Sequence, residues 1–381
     1  MSEGQRAEPP RGRLVSIDAY RGFVMALLVV GPLMYGLSDR ANPVVKAIAA
    51  QFSHVDYEGC HLWDLIMPSF MLLVGVSLPF STAARLRRGE SKARLWGHVL
   101  WRSLLFLLLG IYVSSEHRLE TRWIFQGLLQ QFAFAYPFAY LLVGRRPKVQ
   151  ATALAVLLAA DWLAFALYPV HPRGFSFHDV GLPDVPEWSG LFAHWNRGAN
   201  LAVDFDRWFL SYFPHNTPFR FESGGQTLNF IPSVATMGLG VMAGEMLRGP
   251  ASLNGKLKTL LRWGAGLLAA GLAFGLTLCP LVKEIWTPSW VLFTGGITLL
   301  FLAAFFWAVE LKGWRTVVFP LIVLGMNSLA VYLLNALGAT WIVVQAGIHL
   351  SGSWVVQESV AVLTIWLVAF WMYRRNLFLK I

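Results

Sequence analysis

Runs of about twenty apolar residues recur from one end of the chain to the other. "GFVMALLVVGPLMYG", "PSFMLLVGVSLPF", "LLFLLLGIYV" and "WVLFTGGITLLFLAAFFW" form the cores of four of them. Such runs are long enough to cross a hydrocarbon layer of roughly 30 Å, where the backbone must satisfy its own hydrogen bonds, so they must be helices. The pattern predicts helices over about 18–38, 61–82, 97–115, 123–143, 148–168, 227–247, 260–279, 288–309, 316–336 and 354–373. The expected fold class is an all-α integral membrane protein of about ten transmembrane helices with an extracytoplasmic cap loop. Composition agrees. The chain is 56% hydrophobic and 14% charged, against about 25% charged in soluble domains, and its mean hydropathy is +0.53.

A net charge of +10 on 381 residues raises the question of nucleic acid. The distribution answers it. Alternate connections between the expected helices hold twenty of the 31 lysines and arginines, in clusters such as Arg85, Arg87, Arg88, Lys92, Arg94 and Arg248, Lys256, Lys258, Arg262. The positive-inside rule makes that side cytoplasmic, puts both termini there and makes the number of spans even. The basic excess is therefore a topology signal, and no nucleic-acid partner is expected. The first apolar run has no small-residue cleavage pattern and reads as an anchor rather than a removed signal.

The expected organisation is a cytoplasmic N-terminal segment (1–17), a first five-helix part (18–168), an extracytoplasmic cap (169–226), a second five-helix part (227–373) and a cytoplasmic tail (374–381). The cap segment is polar and rich in Pro and Gly. Its aromatic residues Trp188, Phe192, Trp195, Trp208, Phe209, Tyr212 and Phe213 point to a folded cover, or to a belt at the membrane surface. Residues 337–353 are too few to cross and return, and read as a re-entrant or interfacial segment. Eight of the nine histidines map to the outer side; His98 alone maps inside.

The stretch "QFSHVDYEGCHLWDLIMPSF" (51–70) concentrates titratable groups at the mouth of an apolar run. On a helix His54, Glu58 and His61 share one face, with Asp64 a turn further into the membrane. An intramembrane carboxylate is costly and normally faces a partner or a cavity. An imidazole suits proton abstraction near neutral pH, and a carboxylate fixes its tautomer. The spacing thus offers His54 as a general base oriented by Asp64 or Glu58. The bland alternative is a wet surface loop. A zinc site on the same face is the weaker rival, because two helical turns separate the histidines.

Other intramembrane polar groups are Asp18 and Arg21 at the inner start of the first helix, Gln130 and Gln131 in "LLQQFAFAYP", and Asn327, Ser328 and Asn335 in "VLGMNSLAVYLLNAL". They pair across helices or line a substrate route. Cys60 and Cys279 share no metal-ligand spacing, and there is no phosphate-binding glycine loop, nucleophile elbow or haem motif.

Several of these stretches occur together in one order: "RLVSIDAYRG", "HVDYEGCHLWDLIMPSFMLLVGVSL", "WRSLLFLLLGIY", "GLLQQFAFAY", "TLNFIPSVATMGLGVMAGEML", "IWTPSWVLFTGGITLL" and "FPLIVLGMNSLAVYLLNAL". In that order the chain resembles the heparan-α-glucosaminide N-acetyltransferase family, its bacterial members in particular, from about Arg13 to the last span. The family pattern falls here on His54, Tyr57, Gly59, Asp64, Leu65, Pro68, Phe70, Gly75 and Ser77, with Tyr57 where the family usually has Trp and "VVGPLMYG" where it often carries Asn. The resemblance implies a bacterial inner-membrane acyltransferase that takes acetyl-CoA from the cytoplasm and acetylates the amine of a glucosamine-like sugar or glycan on the far side. It implies His54 as the catalytic residue and suggests a homodimer. On that reading Asp64 or Glu58 orients His54, and Tyr57, His194, Trp195, Asn196 and Asn327 serve the acceptor. Arg21, Arg102 and Gln130 serve acetyl-CoA. The rivals are a transporter or flippase for a sugar or sugar-lipid, and a sugar-binding protein without chemistry; binding of CoA separates both from the transferase.

Overall fold

The computed structural model describes residues 14–37, 42–116, 118–171, 187–214, 225–338 and 353–379. In chain order its helices are α1 (Val15–Gly36), α2 (Pro43–Ala50), α3 (Ile66–Arg87, preceded by a tight turn Leu62–Leu65), α4 (Lys92–Ser114), α5 (Leu128–Leu141), α6 (Pro147–Ala166), α7 (Leu201–Leu210), α8 (Phe230–Arg248), α9 (Leu253–Thr277), α10 (Pro288–Phe306), α11 (Phe319–Met326), α12 (Ser328–Ala336) and α13 (Trp354–Arg374). Among the described residues there is no strand, only one isolated bridge between Glu58 and Val282.

Among the described residues eight helices are long and apolar enough to cross a membrane, and nine if α11 and α12 are one broken span. The tenth expected span, about 123–143, is helical only over the 14 residues of α5, roughly 21 Å at 1.5 Å per residue. The chain enters it through the non-helical residues 121–126. The expected span 316–336 bends by 75° between Met326 and Ser328. Starts follow local chemistry: Ser91 and Ser252 cap α4 and α9, and Thr287 caps α10 with Pro288 in the first helical position.

Packing depends on small residues where helices cross. A Cβ at Gly75 of α3 would fall on the Met237 carbonyl of α8, and one at Gly240 of α8 on that of Leu72. Likewise a Cβ at Gly22 of α1 would fall on Leu321 O, and one at Gly325 of α11 on Asp18 O. Lipid supplies little drive for helices to associate, so such backbone contact is where the attraction comes from. The α1–α11 crossing lies just before the bend at Asn327. The main apolar core runs through α1, α3, α5, α8 and α10 and includes Tyr20, Met25, Met71, Met237 and Trp290.

The cap, as far as it is described, is the turn Gly190–Trp195, packed on α6, and the amphipathic helix α7, whose Asp204 accepts from Tyr168 just past α6. Trp195 is fully buried there, stacked on Phe165 at 6.3 Å. Residues 172–186 and 215–224 of the expected cap, and 339–352 of the expected re-entrant segment, lie outside the described residues.

Candidate active site

Residues 53–61 are not helical, so the expected face of His54, Glu58 and His61 does not exist. The turn at Gly59, with φ +108°, needs a residue without a Cβ. Its N–H donates to Leu281 O at 2.9 Å, which clips the stretch to the α9–α10 loop. The chain then folds back, and His54 meets Asp64 by this route instead.

His54 Nδ1 lies 2.6 Å from Asp64 Oδ1. The other carboxylate oxygen accepts the N–H groups of Val55 at 3.3 Å and His61 at 3.1 Å. Asp64 is completely buried, whereas the His54 side chain is 57% exposed. A carboxylate so occupied has only lone pairs to offer, so the His54 proton sits on Nδ1 and Nε2 is left as the open base. Lys283 completes the group, with Nζ 3.0 Å from Asp64 Oδ1 and 2.9 Å from His54 Nδ1. Burial lowers the Lys283 pKa, and the adjacent Asp64 charge opposes that shift.

Glu58 is exposed and contributes only its backbone bridge to Val282; of the two expected partners, Asp64 is the one at His54. His61 Nδ1 is tied to Ser53 O at 3.1 Å. No group of three or more His, Cys, Asp or Glu fit for a metal occurs among the described residues, and Cys60 and Cys279 are free.

Beside this group Tyr57 donates its hydroxyl to Trp195 O at 2.6 Å and faces Trp188 at 5.5 Å. Arg197 bridges Asp56 at 3.2 Å and Glu284 at 3.1 Å. Burial pushes the Glu284 carboxyl up to about 7 against the pull of Arg197. The expected acceptor residues His194, Trp195 and Asn196 face inward. Asn196 holds the Trp188 backbone at both amide atoms, and His194 Nδ1 is 2.8 Å from Tyr168 O. They secure the cap, and the aromatic ring against His54 is Trp63, edge-on at 6.4 Å between centroids.

At the opposite end of α3 lies a cavity of about 1240 Å³. Arg21, Arg87, Arg102, Arg248 and Lys256 line it, with Asp18 as the one carboxylate on its wall. Arg21 is 3.5 Å from Asp18 and donates to Ser77 Oγ at 3.0 Å. Arg102 donates to Tyr136 OH at 2.8 Å, while its Nε is buried without a partner. The wall rises through Val74 to Phe70, six residues and about 9 Å of helix from Asp64. Met326 and Ser328 belong to it, and between them Asn327 is fully buried with both amide atoms unpartnered. Gln130 does not face this space; its amide donates to Ser114 Oγ at 3.0 Å and Ile124 O at 3.3 Å, fixing the entry to α5.

The family described as "Heparan-alpha-glucosaminide N-acetyltransferase, catalytic" matches residues 13–177, the part that contains His54, Asp64 and the Arg21–Ser77 contact. The human heparan-alpha-glucosaminide N-acetyltransferase is 26% identical over 98% of this chain, and the mouse protein 25% identical over 97%. The chain is similar to these two proteins over nearly its whole length. It spans about 60% of the length of each of these two proteins. Among the residues at the centre of the site, Lys283 is the one that spacing gives no sign of, since 229 positions separate it from His54.

Proposed function

We propose that the chain is a membrane-embedded N-acetyltransferase that carries an acetyl group from acetyl-CoA on the cytoplasmic side to the amine of a glucosamine-like sugar on the other side. The observation that carries this reading is one helix, α3, with the His54–Asp64 pair at its start and a cavity of five cations at its far end.

The cavity fits the donor. Five cations against one carboxylate suit a polyphosphate, the orphaned Arg102 Nε offers a further donor, and the volume exceeds that of sites for drug-sized ligands. Arg21, Arg102, Arg248 and Lys256 would hold the phosphates. Bound acetyl-CoA supplies an acetyl group activated as a thioester. Leu14 and Leu379 line the same cavity as Arg87 and Lys256, which supports placing both of these ends on the cytoplasmic side.

At the other end, the residues of the chain prepare the acceptor. An ammonium is no nucleophile, so His54 Nε2 takes the proton that the amine must lose. Asp64 keeps that nitrogen open by holding the proton of the ring on Nδ1. Trp188 and Tyr57 offer an apolar face for a sugar ring, and Asp56 and Arg197 offer polar groups for its hydroxyls.

The test is mass-spectrometric detection of acetylated product from purified protein given acetyl-CoA and a panel of amino sugars, with His54→Ala in parallel. Product that depends on His54 is expected. No product with any amine, together with no binding of acetyl-CoA, would refute the reading. The bend at Asn327 favours a second one, because discontinuous helices mark the binding sites of transporters. That reading requires sugar movement that is indifferent to CoA.

A further inference from the structure

The loop that carries Lys283 is held from several directions. Val282 pairs with Glu58, and Leu281 O accepts Gly59 N–H. Thr287 Oγ1 donates to Pro280 O at 2.8 Å and accepts Val282 N–H at 3.1 Å. Trp286 stands at φ +49° with its indole buried and donating to Thr236 Oγ1 at 3.1 Å. A tryptophan in the left-handed region is strained and persists only where its surroundings fix it. Here they fix the residue three places after Lys283, so the ammonium has little freedom to leave.

What that ammonium touches is unusual. The proton on His54 Nδ1 is required by the 2.6 Å contact with the Asp64 carboxylate. Lys283 Nζ donates to the same Oδ1 at 3.0 Å, and at 2.9 Å from Nδ1 it faces an N–H instead of a lone pair. Asp64 alone would favour an imidazolium. A cation at this distance disfavours one.

We infer that Lys283 is a positioning residue that anchors the Asp64 carboxylate against His54 and holds the imidazole uncharged, with Nε2 open, until an acceptor amine delivers its proton. The inference rests on the reading of His54 as the proton acceptor. Once His54 is protonated, the neighbouring cation favours release of that proton from the exposed ring to water, so the base is restored for the next turnover. Around Lys283 the other ionisable groups are Cys60 and Glu284. Glu284 is engaged by Arg197, which also holds Asp56, and His61 is tied to Ser53 O.

The test reads protonation of His54 without donor or acceptor. Diethyl pyrocarbonate modifies only unprotonated imidazole, and His54 is exposed enough to be reached. Its modification, followed by mass spectrometry on the full-length purified protein between about pH 5 and pH 9, traces the titration of the ring. Lys283→Met is expected to raise the half-point by about one pH unit or more. Lys283→Arg, which keeps the charge, should leave it near the wild-type position, and Glu284→Gln controls for the neighbouring carboxyl. A half-point that stays in place or falls in Lys283→Met would overturn the inference. If that variant does not elute as a single folded species, Lys283→Gln is read in the same way. Failure here leaves the transfer reaction standing, and absence of transfer leaves this titration standing.

Discussion

Asp64 and His54 meet at 2.6 Å although ten residues separate them, because the intervening loop turns at Gly59 and is pinned to the α9–α10 loop. The pair is buried at the carboxylate and open at the imidazole, the arrangement a base needs if its tautomer is to be fixed while one nitrogen stays available.

Asp64→Asn removes both the tautomer lock and the carboxylate that pairs with Lys283 Nζ at 3.0 Å. Activity is expected to fall roughly 10²–10⁴-fold, the span that acid–base catalysis usually contributes. Stability should fall as well, by about 3–5 kcal/mol, because a buried cation is left without its partner. Adding Lys283→Met should recover part of the stability and none of the activity. Thermal unfolding in detergent, with turnover on the same preparations, checks both statements.

Arg102→Ala should raise the KM for acetyl-CoA about tenfold or more with kcat little changed, the signature of lost ground-state binding at a charged contact. Tyr136→Phe, which removes only the hydroxyl that Arg102 reaches at 2.8 Å, should have a smaller effect. Steady-state kinetics at two salt concentrations decide, since binding through phosphates weakens as salt rises.

Gly75→Ala is expected to cost about 1–3 kcal/mol, because the added methyl meets the Met237 backbone carbonyl and not a side chain that can move aside. Gly97→Ala in α4, where nothing lies within 4 Å, should be neutral or stabilising by up to about 1 kcal/mol. Melting temperatures of the two variants should therefore move in opposite directions.

Glu284 makes stability depend on pH. Burial raises its folded value to about 7 from an ordinary 4.5. The protonated form is therefore favoured by folding, and its contribution is full below pH 4.5 and lost as pH rises through 7. Glu284→Gln should be close to wild type in the acid range and gain on it between those limits, toward roughly 3 kcal/mol. Unfolding followed at pH 5 and pH 8 measures the difference directly.

The helices were legible because lipid demands a long apolar run and little else competes with that signal. The break in α11–α12 was not. "FPLIVLGMNSLAVYLLNAL" is apolar on both sides of Asn327, so the hydropathy pattern reads straight through the bend. The late start of α5, at Leu128, was not legible either, because "WIFQG" before it is uncharged and reads as part of the span. Pairing of His54 with Asp64 was expected on a helical face and arises from a loop, since the open backbone of Gly59 does not signal its φ in spacing. Arg87, Arg248 and Lys256 read as topology markers, and only the folded bundle brings them into one cavity with Arg21 and Arg102. Trp195 and Asn196 look like sugar contacts by residue type, yet their burial assigns them to the cap's own packing.

The central claim is transfer from the cationic cavity to an amine on the His54 side, and proteoliposomes of known protein orientation test it most directly. Acetyl-CoA is supplied only on the side of the Arg102 cavity and an amino sugar only on the side of His54, and the sugar compartment is assayed for N-acetylated product. Product in that compartment from the wild type, none from His54→Ala, and none when the two substrates are exchanged, is the predicted result. Equal product with His54→Ala, or product that ignores which side holds acetyl-CoA, would contradict the account.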